Sequence, residues 1–172
     1  MMDAVSKAFT KEESEPPLVV RRRATLPEGV PNYVTASGLA AYRRELSELK
    51  GQRAALAQSA DNSDPDTAPA HAPLNARIAE LEATITSAEL VDGAALPGEQ
   101  VRFGASVRVR TATGAERTYR IVGVDEADAA LGRIAFIAPI ARALLGQRVG
   151  DSVVVRTPHG EDELEVLALH YE

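Results

Sequence analysis

Cysteine and tryptophan are absent from this 172-residue chain, and aromatic residues make up only 4% of it. Without cysteine there is no disulfide, no thiolate metal site and no cysteine nucleophile, which is typical of a reducing cytoplasm. No apolar run approaches the ~20 residues that span a bilayer. The charged N-terminus does not resemble a signal peptide. We therefore expect a cytoplasmic protein that makes no membrane contact, with a core built from Ala, Val, Leu and Ile.

The first part of the chain, residues 1–32, has low hydrophobicity, paired prolines and separated clusters of charge. Such a composition cannot bury enough apolar surface to offset the entropy of ordering, so we predict an extended or disordered leader. Its basic run, Arg21 to Arg23, is open to two interpretations, contact with nucleic acid or an acidic protein, and simple solvation. The formal net charge of −6 gives no diffuse attraction to duplex DNA.

Two helical patterns lie in residues 33–92, on either side of a proline-rich tip at 59–73. Apolar residues recur at steps of three, four or seven, which marks one stripe on each helix. The stripes are Leu39, Tyr42, Leu46, Leu49 and Leu56 on the first helix, and Leu74, Ile78, Leu81, Ile85 and Ala88 on the second. Two such seams, on helices at about 35–59 and 73–90, predict an antiparallel coiled-coil hairpin with Thr35 as the first N-cap.

In residues 99–172 the apolar period changes to two, which is typical of short strands. The alternating residues are Val107 and Val109, Tyr119 and Ile121, Ile134 and Phe136, Val153 and Val155, and Leu164, Val166 and Ala168. A short helical run extends from Ile140 to Leu145, and Asp125, Glu126 and Asp128 are interpreted as an exposed acidic loop. The sequence thus predicts an α+β protein whose C-terminal domain is a small antiparallel sheet with one short helix.

Several strings of the C-terminal domain occur in the order and spacing of a known family. They are FGASV at 103–107, YRIVG at 119–123, DEAD at 125–128, PIARALLG at 139–146 and TPHGE at 157–161. In these strings the chain resembles the Gre family (GreA/GreB) of bacterial transcription factors. The resemblance covers residues 101–172 and extends through both helices, and leaves out the tip and the leader.

This resemblance implies a coiled coil followed by a domain of FK506-binding-protein-like fold. Family members dock on bacterial RNA polymerase through the C-terminal domain and insert the coiled coil into the secondary channel. Acidic residues at the tip then help to hold Mg²⁺ at the polymerase centre and stimulate cleavage of backtracked RNA. The resemblance therefore implies a monomeric transcription elongation factor that is not itself an enzyme. It has no cofactor of its own, and any Mg²⁺ is shared with the polymerase. Membership of this family also implies an association with DNA binding.

Candidate site residues follow from the same resemblance and fall into three groups. The tip candidates for holding Mg²⁺ are Asp61, Asp64 and Asp66; the polymerase-binding candidates are Ile137, Ala138, Pro139 and Arg142; the basic residues facing RNA or the channel wall are Arg43, Arg44, Lys50 and Arg53. From the residues alone, the aspartates are also what an ordinary solvated turn contains. The basic residues would equally suit a solvated helix face.

The chain departs from the family pattern at the tip and in the docking loop. The stretch 60–66 reads ADNSDPD, without the Leu, Glu and Tyr of the family tip. The helical segment is about a dozen residues shorter, which removes ~9 Å of reach. Ile137 and Ala138 stand where the family has Asp or Asn followed by Ser.

From these departures we expect an elongation regulator whose cleavage stimulation is weak or lost. The alternative is a cleavage-competent factor that uses the tip aspartates. A prolyl isomerase, which needs an aromatic-lined pocket, and an adaptor that binds another protein through the Pro139 loop are the remaining readings.

Overall fold

The computed structural model of the chain describes residues 26–59, 72–92, 99–157 and 160–171. Two helices precede a sheet domain in chain order. The elements are β1 (Asn32–Val34), α1 (Ala36–Ser59), α2 (Ala72–Ser87), β2 (Ala88–Leu90), β3 (Ala105–Thr111), β4 (Glu116–Val122), β5 (Arg133–Ala135), α3 (Pro139–Leu144), β6 (Ser152–Thr157) and β7 (Gly160–Tyr171). Two 3₁₀ turns, Val124–Glu126 and Ala129–Leu131, lie between β4 and β5.

A two-stranded parallel ladder joins the two ends of the helical segment. β1 pairs with β2 in the register Asn32 to Ala88 and Val34 to Leu90. The prediction of helix as far as Leu90 is therefore wrong for its last three residues, because their backbone groups pair with β1. Asn32, the last residue of the predicted leader, is the first residue of β1, and its side-chain amide donates to the carbonyl of Thr84 at 3.2 Å.

α1 and α2 pack together through the inner part of the predicted seam. Val34, Tyr42 and Leu81 form a buried cluster. The half-buried residues packed against it are Leu39, Leu46, Leu49, Ile85 and Ala88. The outer seam prediction is wrong at Leu56, which is 44% exposed, and every residue from 50 to 58 is exposed. Helix α1 has 24 residues and α2 only 16, so less of α2 is present to cover this end.

The larger sheet has five strands in the order β5-β4-β3-β7-β6. β3 pairs antiparallel with β4 and β7, and β6 pairs antiparallel with β7. β4 and β5 pair in parallel, from Arg120 to Val122 against Arg133 to Ala135, so the prediction of an entirely antiparallel sheet is wrong at this edge. The two 3₁₀ turns explain the difference, because they carry the chain back to the level of Arg120 before β5 begins.

The core of the sheet domain lies on one face of the sheet, beneath α3. Its buried residues are Val101, Ala105, Val107, Val109, Ile121, Ala141, Leu144, Val155, Leu164 and Val166. A bulge shifts the register of β7 against β3 between Arg108 and Val109. For this reason Leu169 and Tyr171 pack against the core, where strict alternation had predicted Ala168.

None of the helices within the described ranges is long and apolar enough to cross a membrane.

Candidate functional site

The predicted docking residues lie where β5 passes into α3. The amide of Ala138 donates to the carbonyl of Ala135 at 2.8 Å, which forms a tight turn. Pro139 is the first residue of α3, a position that suits proline because its nitrogen has no helical partner to lose. Pro139 and Arg142 are exposed, whereas Ile137 and Ala138 are half-buried. The loop therefore presents a proline and a guanidinium above a partly covered apolar pair.

The predicted basic residues are all exposed along α1, but their charges are not equivalent. The ammonium of Lys50 lies 2.7 Å from the carboxylate of Glu82 on α2. This hydrogen bond and charge, with a weaker contribution from Arg53, hold the pKa of Glu82 below its usual value. Arg43 and Arg44 make no ion pair within the part of the chain that is described. Of the four predicted basic residues, Lys50 is the one that forms an ion pair among the described residues.

A second group of ion pairs between α1 and α2 lies on the opposite side of the helical seam from Lys50 and Glu82. Arg77 on α2 contacts Glu45 on α1 at 2.7 Å and Glu80, one turn away on its own helix, at 3.0 Å. All three side chains are about one-third to two-fifths exposed. Salt bridges between side chains of this exposure stabilise a protein by about 0–1 kcal/mol each. They therefore determine which residues of α1 and α2 lie opposite each other more than they stabilise the helical pair.

The predicted tip aspartates, Asp61, Asp64 and Asp66, lie outside the described residues, so their metal-holding role stays a prediction. Within residues 26–59, 72–92, 99–157 and 160–171 there is no group of three His, Cys, Asp or Glu side chains that could hold a metal ion. The acidic loop at 125–128 was interpreted as exposed, and this is wrong: Asp125 and Asp128 are half-buried, and so is Glu126. Its carboxylate is half-buried against the start of α1.

Glu126 forms the polar part of a junction between the helices and the sheet domain. One carboxylate oxygen accepts the backbone amide of Thr35 at 2.8 Å and that of Gly123 at 3.3 Å. The other oxygen accepts the hydroxyl of Thr35, which in turn accepts the amide of Gly38 at 2.9 Å. Thr35 is thus the N-cap of α1, as predicted, and its cap is completed from the sheet domain.

Three aromatic rings form the apolar part of the junction. Tyr33 of β1 lies 5.9 Å from Phe103 and 5.4 Å from Phe136 between ring centroids, and the two phenylalanines are 5.8 Å apart. The edge-to-face and tilted arrangements are those that aromatic rings prefer. Phe136 directly precedes Ile137, a predicted docking residue. The junction at the base of the helices is therefore directly adjacent in sequence to the predicted docking loop.

A shallow hollow of about 250 Å³ opens on the core face of the sheet, beside α3. Tyr119 is the one aromatic residue that lines it, with Ile140, Val155 and Leu164 as apolar neighbours. The phenol of Tyr171 instead donates to the carbonyl of Gln100 at 2.6 Å, and burial raises its pKa. Since Phe103 and Phe136 are in the junction, the aromatic residues of the domain do not form a ligand cage here.

Comparison with known proteins places the chain in a family. The family described as "Transcription elongation factor, GreA/GreB, C-term" matches residues 96–171. The transcription elongation factor GreA of Methylobacterium sp. (strain 4-46) is 36% identical over 151 residues, which cover 80% of this chain and 96% of that protein. The chain belongs to the GreA/GreB family. GreA of Legionella pneumophila (strain Corby) is 38% identical over 143 residues, covering 82% of each chain.

Solved structures similar to this Gre-family chain include Gfh1 of Thermus aquaticus and of Thermus thermophilus. The first is 30% identical with a TM-score of 0.40, covering 80% of this chain and 97% of that one. The second, titled GreA factor homolog 1, is 25% identical with a TM-score of 0.39, covering 82% and 99%. Family membership rests on the sequence matches.

The junction is the part of the site that sequence reasoning missed. Its signal was the spacing after Thr35: a capping box has Glu or Gln at the third helical position, and this chain has Gly38 there. A good N-cap followed by glycine at that position leaves the cap amide without its usual acceptor. The acceptor for the amide of Thr35 is Glu126, which lies 91 positions further along the chain. The spacing of residues near Thr35 could not have predicted it.

Proposed function

We propose that this protein is an elongation regulator that binds bacterial RNA polymerase, with transcript-cleavage stimulation weak or lost. The sheet domain docks through Ile137, Ala138 and Pro139 with Arg142, and the helices enter the secondary channel. The observation that carries the proposal is the match to GreA over 80% of this chain, combined with a tip whose sequence lacks the family's acidic pattern.

The ion pairs support a coiled-coil geometry for the helices. Heptads counted from the two stripes put Glu45 and Arg77 at g positions, and Lys50 and Glu82 at e positions. An antiparallel pair brings g opposite g and e opposite e, and these are the observed partners. A parallel pair would instead bring g opposite e. We therefore propose that α1 and α2 form an antiparallel coiled coil, the shape that a narrow channel admits.

Helix length argues for weak cleavage stimulation. At 1.5 Å per residue, α1 of 24 residues is about 36 Å long and α2 of 16 residues about 24 Å. A carboxylate that ligates Mg²⁺ must come within about 2 Å of the ion. Any such ion belongs to the polymerase, and the factor contributes Asp61, Asp64 or Asp66 from beyond the end of α1. A short rod with a proline-containing tip is poorly suited to hold a carboxylate to that tolerance.

The basic face of α1 is proposed to contact nascent RNA or the channel wall. Arg43 and Arg44 are expected to contribute more than Lys50 and Arg53, since Glu82 offsets part of the latter charge. Substituting Arg43 and Arg44 by Gln should weaken the complex at low salt and reduce its salt dependence. The matched substitution Lys50→Gln should have the smaller effect.

The direct test combines polymerase binding with RNA cleavage on a stalled, backtracked complex. We expect the wild-type protein to bind polymerase, Pro139→Ala with Arg142→Glu to reduce binding, and the exposed-strand control Glu163→Gln to bind normally. Little shortening of the RNA 3′ end is expected. Strong shortening that disappears when Asp61, Asp64 and Asp66 are all replaced by Ala would establish the cleavage-competent alternative instead.

The two remaining readings have their own outcomes in the same experiments. Failure of the wild-type protein to bind polymerase would leave an adaptor for another partner. A peptide isomerisation assay addresses the prolyl isomerase reading, which the single aromatic residue in the hollow, Tyr119, disfavours.

A further inference from the structure

The cap of α1 is a capping box divided between two parts of the molecule. In an ordinary box the N-cap hydroxyl accepts an amide of the first turn, and an acid three residues later accepts the N-cap amide. Here Thr35 performs the first role on Gly38 at 2.9 Å. Glu126, 91 residues away, performs the second on the amide of Thr35 at 2.8 Å. The helix therefore obtains the second half of its capping box only when it is seated on the sheet domain.

Two glycines provide the space for this carboxylate. A Cβ placed on Gly38 would collide with the Glu126 carboxyl group. A Cβ on Gly123 would collide with the carbonyl oxygen of Tyr33 and crowd the same carboxyl group. Neither glycine is there for its backbone angles, because neither has a positive φ. Both mark a close approach, one on the helix and one on the sheet domain.

We propose that Glu126 is a positioning residue that sets the direction of α1 relative to the docking loop. Its carboxylate holds the amide and hydroxyl of Thr35 and the amide of Gly123 at once, which fixes the first turn of α1 to the turn after β4. A weaker contact, from the guanidinium of Arg120 to the hydroxyl of Ser37 at 3.5 Å, lies on the same side.

The aromatic cluster alone does not fix this direction. Rings in edge-to-face contact can tilt against one another at low cost, because dispersion has no sharp angular dependence. A carboxylate that accepts several hydrogen bonds is directional, and bonds to a charged acceptor are about twice as strong as neutral ones. We therefore assign cohesion of the junction to Tyr33, Phe103 and Phe136, and its angle to Glu126. The consequence for activity, entry of the rod at the correct angle, rests on the proposed function.

The angle can be measured without polymerase. The chain has no cysteine, so spin labels on Gln52→Cys in α1 and Ser152→Cys in β6 are the only thiol-linked probes. Both positions are exposed. We expect one narrow distance distribution in the parent protein. Glu126→Ala should shift and broaden it, and Glu126→Gln, which keeps the side-chain size, should do so less. Thr35→Ser should leave it unchanged, as should the charge-matched control Glu163→Ala.

A second measurement separates positioning from folding. At high salt, where the charges of Arg43 and Arg44 are screened, the polymerase affinity of Glu126→Ala should match that of the parent, because the docking loop is intact. Crosslinking from position 52 to the channel interior should be lost. Unchanged label distances in both Glu126→Ala and Glu126→Gln, with each variant folded by circular dichroism, would overturn the inference. If the parent protein fails to bind polymerase, the proposed function fails, and the label distances still decide the role of Glu126.

Discussion

The helical pair and the sheet domain are stabilised in different ways. The sheet domain has a contiguous core of ten buried residues. The helical pair has a cluster of three, Val34, Tyr42 and Leu81, of which Val34 belongs to β1, and Ile78 is also buried. Beyond Leu49 the helix α1 is exposed on all sides. Most helical stability in proteins comes from packing of an apolar face, so the outer part of α1 has little of it.

This difference indicates that the sheet domain is stabilised by its own core, whereas the stability of the helices depends on contacts at their base. At the base, the β1–β2 ladder, the aromatic cluster and the Glu126 cap act within one short stretch of chain. Toward the tip, residues 50–58 of α1 are all exposed. The helical segment should therefore open from its tip end while its base remains closed, and each of the following substitutions tests one side of the comparison.

The largest effect is expected in the sheet core. Leu144→Ala should lower the free energy of unfolding by about 3 kcal/mol, because a fully buried leucine leaves both lost burial and a cavity. Urea denaturation followed by circular dichroism measures it. Val154→Ala, whose side chain is 61% exposed on β6, is the control and should change stability by less than about 0.5 kcal/mol. Equal effects of the two would refute the assigned core.

The next effect is expected in the helical pair. Leu81→Ala should cost about 2 kcal/mol, at the lower end for a buried leucine, because its small cluster can partly collapse around the gap. Hydrogen exchange should show the loss in α1 and α2 and leave the strands protected. Leu56→Ala is the matched control on the exposed seam. If it destabilises as much as Leu81→Ala, the helices are packed to their ends in solution and the contrast is wrong.

At the base of α1, Thr35→Ala should cost about 1 kcal/mol, the usual effect of removing an N-cap hydroxyl. Thr35→Ser keeps the hydroxyl and should restore most of it. Thermal unfolding measures both variants. A Thr35→Ala protein as stable as the parent would mean that the Glu126 carboxylate, through the amide of residue 35, is sufficient as a cap.

The smallest effect concerns the ion pair of Lys50 and Glu82. Lys50→Met should raise the pKa of Glu82 toward its usual value, because the hydrogen bond and charge that lower it are removed. The pair favours the folded state above the carboxyl's ordinary pKa, and that preference is lost as the pH falls through the lowered value. Carboxyl titration by NMR measures this shift. Arg43→Met is the control, and a similar shift there would show a general field effect.

The sequence allowed the periodic parts of the fold to be predicted. The stripe from Leu39 to Leu49, the N-cap at Thr35 and the alternation in β3 are local patterns, and each appears in the structure. The alternation predicted for β4 is wrong at Val122, which is buried beside Ile121. The docking residues were assigned by resemblance and lie together at the start of α3, and their function is still a proposal.

What could not be predicted depends on contacts between distant residues. Residues 88–90 continue the helical period of α2, yet they form a strand because β1 offers backbone partners. Ala168 continues the alternation of β7, yet a bulge opposite Arg108 and Val109 turns Leu169 inward. Glu126 lies in an acidic run typical of a loop, and only the folded junction shows that it caps α1.

Because of the β1–β2 ladder, the length of the helices can change without any change at their base. Both ends of the helical segment are tied in a fixed register, Asn32 to Ala88, so everything between them is an insertion into a closed base. Adding one heptad to each helix should extend the rod by about 10 Å and preserve the seam, because seven residues complete one repeat. The length of the helical pair can therefore be altered by insertion or deletion near the tip while the β1–β2 ladder and the Glu126 junction stay the same.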